Sequence, residues 1–346
     1  MMCKKALSLM FVVTLMFGIM SSAVSAELKV GMVFDIGGKG DQSFNDSAFR
    51  GIQWAAEDFG INHIEIEPGA DADRETGLRM IASQGFDYVI GVGFLFEDAI
   101  KAVAEEFPDT KFGIVDGFVP DKPNVVSLRF REHDGSFLVG VIAALKAHAD
   151  GKDTVGFVGG MDIPLIHKFE AGYKAGVAHA YPECKVLSDY AGSAPSAFAD
   201  PVKGKELALA QIDKGAYVIY HASGLTGAGV FEAGKERGVY IIGVDSDQNH
   251  LGYVEDTGDS FGLTSMLKQV DVAVYLSIKD LVNGAFQPGI REFGLADKVE
   301  IHGDTYRGVY FAMDEYNEDL VTQDMLDKVA DAEQKIISGE IKVPEK

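Results

Sequence analysis

Three apolar runs in this chain each stop at an aspartate: Lys29-Val30-Gly31-Met32-Val33-Phe34-Asp35, Lys111-Phe112-Gly113-Ile114-Val115-Asp116 and Val239-Tyr240-Ile241-Ile242-Gly243-Val244-Asp245. Runs of this length and apolarity read as strands buried on both faces. In an open parallel sheet, ligands bind outside the carboxyl ends of the strands, so each carboxylate would stand at the mouth of a crevice. Any one of them could instead cap a neighbouring helix. Three at equivalent strand ends favour a shared polar site. A carboxylate only accepts hydrogen bonds, which suits vicinal sugar hydroxyls or ring N–H groups and opposes an anionic ligand.

The segment Gly37-Gly38-Lys39-Gly40-Asp41-Gln42-Ser43-Phe44-Asn45-Asp46 follows the first of these strands and opens a helix. Ser43 or Asn45 is placed to cap that helix, whose first N–H groups lack partners. A phosphate cradle is one reading of the glycines, but the Walker spacing and its Gly-Lys-Ser/Thr ending are missing. Phe44 lies off the apolar stripe of the helix. It is either a stacking surface for a flat ring or a hydrophobic staple at the helix start. Gly224-Leu225-Thr226-Gly227-Ala228-Gly229 superficially resembles a dinucleotide fingerprint, with the wrong spacing. It reads as close backbone approach to a neutral ligand or as a tight turn. Lys268 reads as the opening of a long helix, where an isolated lysine is ordinarily solvated. The eight histidines show no metal-ligand spacing, His167 reads as facing solvent, and no G-x-S-x-G elbow is found. No metal, cofactor or catalytic residue is expected.

The elements that must position these groups alternate strand and helix. Leu28 to Phe34 is followed by a helical stripe of Ala48, Phe49, Ile52, Ala55, Ala56 and Phe59. Strands around Ile64, over 88–92 and over 111–115 alternate with helices over 71–83 and 99–107. A second series begins at Thr154 and runs through a helix over 165–181 to the strand ending at Asp245. Helical stretches over 133–149 and 265–282 lie near the changeovers. The pattern is α/β, with two similar doubly wound parallel-sheet lobes, as a 346-residue chain favours. The expected division is residues 27–128 with 250–289 in one lobe and 129–249 with 290–346 in the other. Crossings are expected near 127–131, 247–252 and 287–291.

Residues 1–26 read as an export signal: Lys4 and Lys5, an apolar core over 6–20, and a small-residue cleavage region ending at Ala26. Cys3 precedes the core, so a lipid anchor at a following cysteine is not expected. Cys184 would then be the only thiol, a small buried hydrophobe. The chain carries 31 Lys and Arg against 53 Asp and Glu, a net charge of −22. Such a surface repels phosphate backbones and excludes nucleic acid as a partner.

The pieces Val33-Phe34-Asp35-Ile36-Gly37-Gly38, Asp41-Gln42-Ser43-Phe44-Asn45, Gly156-Phe157-Val158-Gly159-Gly160-Met161-Asp162-Ile163-Pro164, Phe169-Glu170-Ala171-Gly172-Tyr173, Gly243-Val244-Asp245-Ser246-Asp247-Gln248 and Thr264-Ser265-Met266-Leu267-Lys268 together resemble the basic membrane protein family of ABC-transporter solute-binding proteins, also called purine nucleoside receptor-like lipoproteins. The match spans most of the chain after the leader. The resemblance implies a type I periplasmic-binding-protein fold, two lobes joined by a hinge and closing on a ligand. It implies capture of a purine nucleoside of the adenosine, guanosine or inosine class, delivered to an ABC permease and its ATPase subunits, with no chemistry done. Carried onto this chain, Phe44 would stack on the base, with Asn45 and Asp116 bonding its edge. Asp35 and Ser43 would line the same lobe, Asp245 and Lys268 would bond ribose hydroxyls, and Phe169 would be a second stacking ring.

There are departures from the family pattern. Lacking the family's anchor cysteine, the chain is expected to be a free periplasmic protein and not a lipoprotein. Tyr220-His221-Ala222-Ser223-Gly224 departs from the glycine-rich form expected there. The alternatives are the same fold binding another flat heterocycle (a free purine or a flavin) or a sugar, and, less favoured, a nucleoside-processing enzyme.

Overall fold

The computed structural model describes residues 28–69 and 73–346. Its elements run β1 (Lys29–Val33), α1 (Phe44–Phe59), β2 (Asn62–Ile66), α2 (Asp73–Ser83), β3 (Tyr88–Val92), α3 (Glu97–Glu106), β4 (Lys111–Val115) and β5 (Val125–Phe130). Then follow α4 (Glu132–Ala149), β6 (Thr154–Met161), α5 (Pro164–Ala180), β7 (Lys185–Gly192), α6 (Pro201–Asp213), β8 (Val218–Ala222), α7 (Gly227–Arg237) and β9 (Tyr240–Asp245). The rest are β10 (Tyr253–Val254), β11 (Asp259–Ser260), β12 (Gly262–Lys268), α8 (Val270–Val282), β13 (Gly289–Phe293), β14 (Lys298–Ile301), β15 (Asp304–Arg307), β16 (Val309–Phe311) and α9 (Gln323–Ile337).

Two six-stranded sheets carry the molecule. The first has the order β13-β5-β4-β3-β1-β2 and the second β16-β12-β9-β8-β6-β7. All neighbours in them are parallel except β16, which runs antiparallel to β12. Helices on both faces bury the strands, so the strands are apolar throughout: Val30, Met32, Val33, Val89, Ile90, Phe112 and Ile114 are all wholly buried. α1 turns Ile52 and Ala55 inward and ends at Gly60, whose φ of 63° and N–H bond to the Ala56 carbonyl close the last turn. Asp200 and Thr322 cap α6 and α9 through bonds from the N–H groups of Lys203 and Met325.

The chain crosses between sheets three times. β5 passes into α4 at Arg131, β12 into α8 at Gln269, and β13 towards β16 at Gly294. Backbone bonds tie these crossings together: Arg131 N–H to the Phe293 carbonyl at 2.9 Å, Gln269 N–H to the Gly308 carbonyl at 3.1 Å, and Gly308 N–H to the Gly294 carbonyl at 3.1 Å. The crossing expected at 247–252 is corrected to Gln269. Gly262–Lys268 is a strand paired with both β9 and β16, so residues 250–268 go with the second sheet instead of the first. The helix expected over 265–282 is therefore only α8, which packs against α1. The change is hidden because Leu263, Met266, Val270 and Val274 keep a helical spacing across the strand and into the helix. The expected leader over 1–26 lies outside the described residues, as do residues 70–72 of the helix expected over 71–83.

α4 and α5 meet with their backbones in contact. A Cβ at Gly172 would lie 2.1 Å from the His133 carbonyl oxygen, and one at Gly176 2.0 Å from that of Phe137. Alanine would favour the isolated helix by about 1 kcal/mol, but forcing two backbones apart costs about 1–3 kcal/mol. We expect Gly172→Ala to lower the free energy of urea unfolding by on the order of 1 kcal/mol, the cost less the helix gain. A rise in stability would show that helix propensity, and not the close contact, governs this position.

Candidate functional site

The three strand-end aspartates meet in one cleft between the sheets. Asp35, Asp116 and Asp245 line the same cavity, together with Phe44, Asn45, Phe169 and Lys268. Of the expected site residues only Ser43 does not line it, though its hydroxyl bonds to Asp245, which does. Among the described residues no group of three or more His, Cys, Asp or Glu is arranged to hold a metal ion.

Asp35 follows β1 and is nearly buried. The Arg74 guanidinium on α2 lies 3.4 Å from its Oδ1. Gly93, after β3, has a φ of 109°, and a Cβ there would fall 2.2 Å from Asp35 Oδ2. Glycine is thus required both for the backbone angle and for the space the carboxylate takes. Burial pushes the Asp35 carboxyl up to about 6, against the opposing pull of the Ile36 N–H and Arg74.

Asp116 and Asp245 are structural equivalents, following β4 and ending β9, the third strands in the two sheet orders. Both sit in the left-handed region, at φ of 59° and 65°. Aspartate tolerates that conformation better than most residues. Between them lies the Lys268 ammonium, 2.5 Å from Asp116 Oδ2 and 3.0 Å from Asp245 Oδ1, with all three side chains almost fully buried. Burial alone would lower the lysine pKa, but the Asp116, Asp245 and Glu132 carboxylates outweigh it and hold the ammonium charged. The Phe44, Phe169 and Phe130 ring centroids lie 4.6, 5.4 and 5.7 Å from Nζ. Lys268 is therefore neither solvated nor at a helix start: it ends β12 inside the cleft.

The start of α1 differs from expectation in its cap. Asp41, not Ser43 or Asn45, satisfies the helix N–H groups: Oδ1 accepts from Ser43 N–H at 2.9 Å and Asp46 N–H at 3.2 Å, and Oδ2 from Asn45 N–H at 2.9 Å. Asn45 braces the loop instead. Its Oδ1 accepts the Asp35 N–H at 2.9 Å, and its Nδ2 donates to Asp41 at 3.0 Å. Ser43 reaches across the cleft, its hydroxyl 3.1 Å from both the Val244 carbonyl and Asp245 Oδ2. Ser246 Oγ answers by donating to the Ser43 carbonyl at 2.9 Å, and Gln248 Nε2 donates to the Gln42 carbonyl at 3.1 Å.

Sequence reasoning missed several contributors. Phe198, on a short helical turn after β7, lines the cavity beside Gly224, whose φ is 55°. Nothing in its spacing marks it. Glu132, on the first turn of α4, is buried with the Lys168 ammonium 3.5 Å away. Burial and the neighbouring Asp116 carboxylate push its carboxyl up to about 7. An acid in a first turn is ordinarily a helix-dipole partner, so it carried no signal. His167 is part exposed and pairs with Asp162 at 2.6 Å, away from these carboxylates.

Two doubly wound lobes around a cleft lined by phenylalanines and buried charges define a solute-binding protein of the periplasmic-binding fold. A structure of an ABC transporter solute-binding protein from Aeropyrum pernix K1 superposes with a TM-score of 0.78 at 32% identity, covering 92% of this chain and 94% of that one. The family model described as "ABC transporter substrate-binding protein PnrA-like" matches residues 28–346. The chain belongs to that family. It is 35% identical to the ABC transporter nucleoside-binding protein BmpA of Lactococcus lactis, over 94% of this chain and 92% of that protein. It is 37% identical to a CD4+ T-cell-stimulating antigen of Listeria monocytogenes, over 93% and 89%. Members of this family bind small ligands for a permease and its ATPase partners, and are solute-binding proteins rather than enzymes.

One expectation is corrected by these relatives. Those from three Pyrococcus species, 34–36% identical over 78% of this chain, are named lipoproteins, and one from Borrelia garinii is named basic membrane protein A1. These names point to a lipid-anchored, membrane-associated protein and overturn the expectation of a free protein that is not a lipoprotein. That expectation rested on the position of Cys3, which lies outside the described residues.

The raised Asp35 pKa makes a signed prediction. With a folded value near 6 against about 3.8 unfolded, the folded state holds a proton that the unfolded state has lost between those limits. Stability therefore falls as pH rises through pH 4–6, by on the order of 2–3 kcal/mol from this group. We expect Asp35→Asn to remove that share of the slope in urea unfolding measured at pH 4, 5 and 6. An unaltered slope would show that Arg74 keeps Asp35 ionised throughout.

Proposed function

We propose that the cleft captures a purine nucleoside for delivery to the transporter's permease. The observation that carries this reading is the pairing of aromatic faces with unfilled acceptors. Phe44 and Phe169 line the cavity, while Asp116 Oδ1 has no hydrogen-bond partner among the described residues and Asp245 Oδ1 faces the Lys268 ammonium at 3.0 Å, so that each oxygen can still accept from a ligand. Buried acceptors without donors are costly, so the cleft suits a ligand that brings donors and a flat ring. A nucleoside offers both, in ribose hydroxyls and base N–H groups. The nucleoside-binding relative supports the same ligand class.

In this reading Phe44 stacks on the base and Phe169 adds a second face. Asp116 bonds the base edge, and Asp35 and Ser43 line that lobe. Asp245 and Lys268 serve the ribose. Asn45, whose amide is already used by Asp35 and Asp41, contributes mainly by fixing the loop that carries Phe44. The first lobe holds β1–β5, α8 and β13, and the second the remaining strands of the other sheet. Closing them brings both sets of contacts onto the ligand.

Mass spectrometry of ligand released from gently denatured protein tests this directly. A purine nucleoside is expected, and recovery of a flavin, a free purine or a sugar would displace the reading. Calorimetry gives the finer test. Phe44→Ala should cost about tenfold or more in affinity, from stacking worth about 1–3 kcal/mol per base. Asp245→Ala should weaken a nucleoside far more than its free base, and equal losses would remove Asp245 from the ribose side.

A further inference from the structure

The loop that opens α1 has the make-up of an anion site, with glycines, a helix N-terminus and converging backbone N–H groups. In this chain those donors are already taken. Asp41 lines the cavity, is 5% exposed, and accepts from the N–H groups of Ser43, Asn45 and Asp46. Asp46 accepts from the N–H groups of Gly40 at 2.8 Å and Gln42 at 2.9 Å. The carboxylate of Asp41 thus stands where a phosphate oxygen would be held in a loop of this shape.

The cleft's cations are engaged in the same way. Lys268 is shared by Asp116 and Asp245, and Arg74 lies against Asp35. An acceptor, Asp116 Oδ1, is left without a donor among the described residues. A phosphoryl group brings more acceptors and about two negative charges into this surrounding. It would reach the donors of this loop, Lys268 and Arg74 only by displacing an internal carboxylate.

We propose that Asp41 is a specificity-determining residue: it fills the anion-binding end of α1 from within and so restricts the cleft to ligands without a phosphate. The inference builds on the nucleoside reading but has a readout independent of it. Removing the side chain empties the N–H cluster and deletes one negative charge. The loop then becomes the donor site its backbone already describes.

The test is calorimetry on the purified chain and on Asp41→Ala with three probes: inosine, inosine 5′-monophosphate and inorganic phosphate. The native chain should prefer inosine to its monophosphate by at least 100-fold and show no heat with millimolar phosphate. Asp41→Ala should narrow that preference by tenfold or more and take up inorganic phosphate. An unchanged preference together with no phosphate binding overturns the proposal. If neither protein binds inosine, the nucleoside reading fails and the phosphate arm decides alone: uptake by the variant supports the role of Asp41, and none overturns it. If circular dichroism shows that Asp41→Ala does not fold, Asp41→Asn replaces it. That variant keeps one acceptor oxygen and loses the charge, and its preference should narrow in the same direction by a smaller factor.

Discussion

The cleft depends on one buried ammonium shared by two lobes. Lys268 belongs to the second sheet, and so does Asp245, but Asp116 comes from the first. A lysine this deeply buried is tolerated only with close counter-charges, and stripping one away typically costs about 3–5 kcal/mol. The lobe arrangement and the charge state of the site are therefore one problem. Separating the lobes takes Asp116 away from Lys268 and leaves both to be solvated, so the pair favours closure most strongly when water is excluded. The three phenylalanine rings around Nζ help exclude it while giving the ammonium π faces to lie against.

The same economy governs the helix start. A loop rich in glycine that ends in a helix N-terminus presents donors that must be met. Here Asp41 and Asp46 meet them, which leaves Ser43 free to reach Asp245 and Asn45 free to hold the Asp35 backbone. A single internal cap thus releases two neighbouring polar side chains for work between strands and between lobes. Asp35 is fixed in turn by Asn45 at its N–H and by the empty space at Gly93. Little in this corner of the site is left to be ordered by a ligand.

How much of this was legible in the sequence follows from what each signal measures. The strand-helix alternation and the three terminal aspartates were legible because doubly buried strands are continuously apolar and a carboxylate interrupts them abruptly. The strand Gly262–Lys268 was not, because Leu263, Met266, Val270 and Val274 recur at spacings of three and four, a helical period that runs across a strand and into the helix that follows. Lys268 inherited that error and so looked like a surface lysine. Propensity favours Ser43 and Asn45 as caps at the helix boundary, whereas Asp41 reaches the N–H groups there from two residues before Ser43. The left-handed backbone at Asp116 and Asp245 carries no sequence signal at all, since aspartate is common in ordinary turns too.

The five strands from β5 to β2 in one sheet and from β12 to β7 in the other correspond in order and direction, and only the edge strands β13 and β16 differ in direction, so the asymmetry at the site comes from side chains. β4 matches β9, and each is followed by or ends in an aspartate with positive φ. β5 matches β12, yet β5 ends in Phe130 and β12 in Lys268. Had both strands ended in lysine, each aspartate would have a partner on the neighbouring strand of its own sheet, and each lobe would satisfy its charges alone. With phenylalanine at one of the two positions, Asp116 has no such neighbour and must take its counter-charge from across the cleft. The apolar residue at the end of β5 is thus what makes the ion pair an inter-lobe one. Two matched strand ends with one unmatched ammonium thus tie the two sheets together at the ligand cavity.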